Sequence, residues 1–411
     1  RFCATYGRAS AGIDLVERYS MCLACFSRRN VLGLSALLAS TATLPGAQRA
    51  RADHAPLRIG YLPITDAAPL LVAHALGLYE AEGIRTERPV LLRSWSQVIE
   101  AFVASQVDVV HLLAPMAIWA RFGSRVPLKV VAWNHMGGSG LAVSPNIIRI
   151  EDLAGQTVAV PFWYSIHNVV LQVLLVNAGL QPVIRRRGRI ASNEVGLIVM
   201  PPSDMPPALA ARQIGGYIVA EPFVAAAETL GIGRVLRFTG DVWRNHACCV
   251  VVMHERDIEA RPAWSQSVVN AIVKAQLWLR ENRHEAAQLL SREHTSRYTP
   301  HAAEVLARVL APEASQRDSY VASGAWRHRE WEDPRIDFQP YPFPSYTEEL
   351  IRRLKSTLVE GERRFLETLD PIRATAELVE DRLVRQALAD VGGLRAFGLP
   401  DAFRREEVIL P

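Results

Sequence analysis

Lysine is almost missing from this 411-residue chain: Lys129, Lys274 and Lys355 are the whole complement, and arginine makes up the rest of its 46 basic residues. That scarcity excludes a Walker phosphate loop, which needs a lysine directly after its glycines. The run Gly137-Gly138-Ser139-Gly140 has the spacing of a turn rather than of a Gly-x-Gly-x-x-Gly cradle. Charge of one sign is not in excess either, since 42 acidic residues leave a net charge of +4 spread along the chain. A nucleic-acid footprint would be a basic face or stripe, so no nucleic-acid partner is expected. The one dense patch, Arg185, Arg186, Arg187 and Arg189, reads as a solvated loop, because crowded like charges repel unless water separates them. Neither Gly-x-Ser-x-Gly nor His-Glu-x-x-His occurs, so the common hydrolase and zinc-protease motifs are missing.

Cysteine is sparse as well. Cys3, Cys22 and Cys25 lie in the first 52 residues, and beyond them only the adjacent pair Cys248 and Cys249 remains. Adjacent cysteines seldom pair without strain, so no disulfide framework is expected and folding rests on the apolar core. With 49% hydrophobic and 21% charged residues, a chain of this length can bury a large core and is expected to form two domains.

The N-terminal 1–52 segment reads as upstream residues followed by an export signal. From Met21, the pattern Ser27-Arg28-Arg29-Asn30-Val31-Leu32 is of the twin-arginine kind, and the apolar run Val31 to Leu44 is too short for a bilayer span. Ala50 and Ala52 frame a small-residue cleavage site, with a mature chain starting near Asp53 in the periplasm.

Beyond that point strand and helix patterns alternate. Leu57 to Leu62 reads as a strand followed by an apolar helix with Pro69 in its first turn; Trp95 to Val107 has helical spacing, Val109 to Leu113 is a buried-strand run, and Leu128 to Trp133 is another strand. The alternation predicts a parallel-sheet α/β domain over 53–144. The chain is expected to cross near Ser144-Pro145 into a second lobe, 145–248, with strands at Thr157–Val160, Leu197–Met200 and Gly216–Ala220, and to return over 249–330 through a strand at Cys249–Met253. Two crossings imply a hinge. Residues 331–411 read as a helical C-terminal extension packed on the first lobe.

Open parallel sheets bind ligands beyond the carboxyl ends of their strands. The polar or aromatic residues predicted there are Thr65, Asp66, Ser94, Trp95, Ser165, His167, Asn168 and Glu221. Each has a plainer reading: Thr65, Asp66 and Ser94 as helix caps, Trp95 as core, His167 as a capping or buried group, Glu221 as a turn acid. Cys248 and Cys249 could face the cleft as soft ligands, or could be small buried strand residues.

As a group these motifs resemble a known family. Leu57-Arg58-Ile59-Gly60-Tyr61, Thr65-Asp66-Ala67-Ala68-Pro69-Leu70, Ser94-Trp95, His111-Leu112-Leu113-Ala114-Pro115-Met116, Tyr164-Ser165-Ile166-His167-Asn168, Ala220-Glu221-Pro222-Phe223 and Gly240-Asp241-Val242-Trp243-Arg244-Asn245-His246 occur in order. Together they resemble the nitrate/sulfonate/bicarbonate family of ABC-transporter periplasmic substrate-binding proteins, in its nitrate- and bicarbonate-binding branch. The resemblance implies a type 2 periplasmic-binding-protein fold of two hinged lobes, with Trp95, His167 and Glu221 lining the solute. It implies an importer component that captures a small anion of the oxyanion, sulfonate or bicarbonate type, acts as a monomer with a membrane permease and its ATPase, and uses neither catalysis nor a cofactor. Helix starts at Ser94 and Ser165 would turn free amides toward such an anion. The chain departs from the nitrate-binding members where Ala247-Cys248-Cys249 stand in place of a lysine-bearing stretch, which puts nitrate itself in doubt. Two rival expectations are a ligand sensor read by a receptor kinase and an enzyme related to the thiamine-pyrimidine synthases, although the latter use a lysine-bound pyridoxal phosphate and a cysteine-rich iron motif.

Overall fold

Short apolar runs lay down two large sheets, one in each lobe, beside a third of two short strands. The computed structural model describes residues 55–184, 189–331 and 335–411. The segment read as an export signal and most of the arginine cluster, residues 185–188, therefore lie outside the described residues. The strands are β1 (Ile59–Tyr61), β2 (Val90–Leu91), β3 (Val109–Leu113) and β4 (Leu128–Trp133), then the short β5 (Met136–Gly137). They are followed by β6 (Ser139–Val143), β7 (Thr157–Val160), β8 (Gln181–Val183), β9 (Glu194–Val199), β10 (Gly216–Ala220) and β11 (Arg234–Phe238), and finally by β12 (Cys249–His254) and β13 (Ile336–Asp337).

The first sheet has the order β2-β1-β3-β12-β4, and the second β11-β6-β10-β7-β9-β8. The fold is α/β, as expected, but neither sheet is purely parallel. β12 runs antiparallel to both β3 and β4, and β6 runs antiparallel to both β10 and β11. These are the two strands that follow a crossing between the lobes, and a strand entering a sheet from the other lobe arrives from the opposite end. Their side chains are buried throughout, the condition for near-continuous apolar strands such as Val250–Met253.

The crossing differs from its expected position. The chain leaves the first sheet at Trp133 and is already in the second at Ser139, so Ser144-Pro145 stands at the far end of β6. The local pattern misleads because β4 and β6 are both apolar and only a short turn separates them. Gly138 makes that turn possible: its φ is +72°, and a Cβ there would lie 2.8 Å from Ile336 Cδ1.

Six helices matter for the site: α1 (Ala68–Ala75), α2 (Trp95–Val103), α3 (Ile166–Asn177), α4 (Phe223–Thr229), α5 (Pro262–Glu281) and α6 (Pro344–Ser356). Ser94 caps α2 by accepting the Gln97 amide at 3.2 Å, and Ser165 caps α3 by accepting the Asn168 amide at 3.1 Å. Proline in the first turn starts α1, α5 and α6, where a missing N–H costs nothing. Among the described residues, no helix is long and apolar enough to cross a membrane.

The C-terminal extension touches both lobes rather than the first alone. Glu380 N–H donates to Val130 O of the first sheet at 2.9 Å, while Tyr164 of the second lobe donates to Glu362 O at 2.8 Å. Within the extension the short strand β13 precedes α6, which begins at Pro344.

Candidate ligand site between the lobes

Where the two sheets face each other, the Thr65 amide and hydroxyl both donate to Glu221 O, at 3.0 and 3.1 Å. Thr65 follows β1 and Glu221 follows β10, so these bonds join the lobes directly. Behind them lies a set of fully buried polar side chains: Asp66, His111, Asn134, His135, Ser139, His167 and His246.

Asp66 stands in the turn between β1 and α1, and its Oδ2 is 2.8 Å from His135 Nε2. The Cys249 thiol donates to the same oxygen at 3.3 Å. Burial and the neighbouring Cys248 charge push the Asp66 carboxyl up to about 6, against the opposing pull of His135. Burial alone would lower His135, but the carboxylate charge and hydrogen bond from Asp66 raise it to about 10. Burial alone would raise Cys248, yet the Cys249 thiol and the imidazoles of His167 and His135 draw it well below a free thiol, while burial and Cys248 itself push Cys249 up. His111 and His246 carry no such partner, and burial lowers them to about 3 and about 4. The neutral-pH site is therefore two neutral imidazoles around an ion-paired centre.

Side chains on successive strand residues point to opposite faces. Cys248 and Cys249 nevertheless share one centre, because Cys248 precedes β12 and lies on the crossing segment, where Ala114 N–H donates to Cys248 O at 3.0 Å. Cys248 Sγ lies 3.8 Å from His167 Nε2, and Ser139 Oγ is 2.9 Å from the same nitrogen. Cys248 thus meets the second lobe through His167, whereas Cys249 meets Asp66 of the first.

Of the residues singled out from sequence, Asp66, His167 and Trp95 meet at this place. Trp95 lies edge-on to His111 at 5.4 Å between ring centroids. Ser94 and Ser165 are occupied as helix caps. Asn168 is committed elsewhere: its amide donates to Trp163 O and Leu358 O, and its oxygen accepts from Gln172. Glu221 does not present a free carboxylate to the cleft, since one oxygen accepts the Ala225 amide and the other meets the Arg335 guanidinium at 2.5 Å. His135, Ser139 and His246 escaped sequence reasoning. The available signal was positional: Asn134-His135 and Asn245-His246 are matching pairs, each at a crossing between lobes.

Several buried atoms here have no partner among the described residues: Trp95 Nε1, the Nδ1 atoms of His111, His135, His167 and His246, Asp66 Oδ1 and Asn134 Oδ1. Folded proteins satisfy nearly all such groups, so a concentration of them marks where something else bonds.

Two lobes of α/β sheet, bridged by crossing strands around a buried polar centre, define the fold of periplasmic binding proteins. The chain belongs to the NMT1-like family, whose model matches residues 50–291, more than half of the sequence. It is 24% identical over 315 residues to the nitrate/nitrite binding protein NrtA of Nostoc sp., covering 71% of this chain and 69% of that one. It is 26% identical over 237 residues to the nitrate import ATP-binding protein NrtC of Synechocystis sp., but spans only 35% of that relative's length. Among solved structures, the periplasmic nitrate-binding protein NrtA from Synechocystis PCC 6803 superposes with a TM-score of 0.67 at 18% identity, over 86% of this chain and 93% of that one. The periplasmic aliphatic sulphonate binding protein SsuA from Escherichia coli gives 0.56 at 19%, over 79% and 92%. The resemblance read from the motifs thus holds in both sequence and fold.

Proposed function

We propose that this chain is the extracytoplasmic solute-binding component of an ABC importer and that it holds a small anion between its lobes. The observation that carries the reading is the set of buried, unpartnered hydrogen-bonding nitrogens supplied by both lobes, Trp95 Nε1 and His111 Nδ1 from the first, their rings 5.4 Å apart, and His167 Nδ1 from the second. The Trp95 indole N–H, and the Nδ1–H that His111 carries because its Nε2 accepts from Leu62 N–H, are donors that a bound anion satisfies, and burial makes each such bond stronger than it would be in water. A separate pocket lined from both lobes, by Leu62 and Arg93 of the first and Pro202 and Phe223 of the second, also carries Arg292 and Arg297; Arg292 is paired with Glu293 at 3.0 Å, which leaves Arg93 and Arg297 to favour negative solutes there. The names of the relatives, nitrate-binding and sulphonate-binding, agree with this solute class.

In this reading the solute stabilises the closed arrangement latched by Thr65 and Glu221, and a membrane permease with its ATPase recognises that form. Export by the twin-arginine route to the periplasm and a monomeric state belong to the same proposal. No bond of the solute is made or broken.

His167→Ala and Trp95→Ala are each expected to weaken solute binding about ten- to a hundred-fold, the worth of one hydrogen bond to a charged group. Calorimetric titration with nitrate, bicarbonate and an alkanesulfonate, beside urea unfolding of each variant, makes the check. Unchanged affinity in both variants, with folding intact, would remove the cleft from the solute's path.

A further inference from the structure

Asp66, His135, Cys248 and Cys249 each bring one potential ligand atom into a group whose members all lie within 4.8 Å of one another, and all four side chains are buried. We infer that these four residues form a binding site for a thiophilic divalent cation of the zinc class, with His167 of the second lobe closing over it. The inference rests on the reading of the cleft as the solute site and adds a ligand class to it.

The donor set carries the argument. Two thiols, an imidazole and a carboxylate are the soft and borderline ligands zinc takes, and the oxygen-only sets of calcium and magnesium are different. In a tetrahedral zinc site the donor atoms stand about 3.3–3.8 Å apart, given the usual metal–ligand lengths. Here Cys249 Sγ is 3.3 Å and His135 Nε2 is 2.8 Å from Asp66 Oδ2, and no pair of the four exceeds 4.8 Å, so shifts of about 1 Å or less would bring the donors to tetrahedral spacing. Asp66 Oδ1 is buried without a protein partner, an acceptor left for something positive. Nothing in core packing calls for this concentration of ionisable groups, because burying charge is costly unless it is compensated.

The ligands also divide unevenly between lobes. Asp66 follows β1, His135 follows β4, Cys248 ends the crossing segment and Cys249 begins β12, so all four belong to the first lobe and the crossings. His167, at the start of α3 in the second lobe, sits 3.8 Å from Cys248 Sγ. A cation would therefore load on the first lobe and gain its last contact as the second lobe closes. As it binds, the protons held by the thiols and by His135 Nε2 would leave to solvent.

The test is titration of the reduced, metal-free exported form with zinc, and with cadmium, whose thiolate bonds give an ultraviolet charge-transfer band. One cation per chain is expected, with the cadmium band present, and Cys248→Ser and Cys249→Ser should each weaken binding about a hundred-fold or more. Because a serine at either site could perturb the fold, circular dichroism of each variant and alkylation protection of both thiols by zinc in the unmutated protein are measured beside it. Failure of zinc to protect the thiols, or zinc binding unaltered in both folded variants, would overturn the inference. Thermal stabilisation by nitrate, bicarbonate or a sulfonate in a protein that takes up no metal would overturn it too and leave the proposed function standing. Metal uptake of the expected kind without any anion effect would support it and overturn the anion reading instead.

Discussion

Arg335→Met is expected to destabilise the folded chain by about 3–5 kcal/mol, because it strands a buried carboxylate. Arg335 and Glu221 are 3% and 0% exposed and meet at 2.5 Å. The guanidinium also donates from Nη1 to Tyr320 Oη at 2.7 Å and lies 4.9 Å from the centroid of Phe238, so methionine replaces its volume but not its charge. Burial is the largest influence on Glu221 and raises its pKa despite Arg335, so without the arginine the carboxyl is expected to take up a proton or admit water, either at the expense of stability. The double variant Glu221→Gln/Arg335→Met removes both charges and should recover most of the loss, since an uncharged pair leaves no unpaired ion. Urea unfolding measures it: a lowered midpoint with an unchanged slope for the single variant and a midpoint near the starting value for the double. Equal destabilisation in both would mean that packing around Phe238 and Tyr320, rather than charge, holds this joint.

The same pair shows why the site was only partly legible in the sequence. Glu221 follows a strand in the second lobe, the position from which a ligand contact is expected, and nothing near it in sequence signals a partner. That partner stands on the C-terminal extension, 114 residues away. Asn168 is captured similarly, by Leu358 O at 3.0 Å, from a segment lying beyond the family match that ends at residue 291. The alternation of strands and helices was readable because period and turn chemistry are local properties. The antiparallel sense of β6 and β12 was not, since strand direction depends on which sheet the chain enters. For the same reason His135 and His246 were not singled out: His135 gains Asp66 at 2.8 Å, and His246 gains Thr239 Oγ1 at 2.9 Å, only once the chain has crossed between the sheets. His111, in the middle of a buried strand, had a better signal: a polar residue flanked by Val109, Val110, Leu112 and Leu113 needs a partner, and Leu62 N–H donates to its Nε2 at 2.9 Å.

Trp243→Ala is expected to cost about 3–5 kcal/mol as well, the range for removing a large aromatic side chain from a packed site. Trp243 is 1% exposed, lies 5.1 Å from the Tyr346 ring between centroids, and donates from Nε1 to Glu407 Oε2 at 2.9 Å. The C-terminal strap answers on either side of it: Arg244 N–H donates to Val408 O at 3.0 Å, and Leu410 N–H donates to Val242 O at 2.8 Å. Tyr346 Oη in turn donates to Ala247 O, so one stack of aromatic groups holds the strap against the segment that leads into Cys248 and Cys249. Trp243→Phe keeps most of the packing, and Glu407 retains Ser345 and Arg405 as donors, so its cost should be near that of a single hydrogen bond, about 1 kcal/mol. Hydrogen exchange separates local from global effects: in Trp243→Ala the amides of Arg244 and Leu410 should lose protection well before those of β3 and β12. If protection fell equally across all of them, the strap would be part of the general core, and the hinge segment would owe its position to the sheets alone.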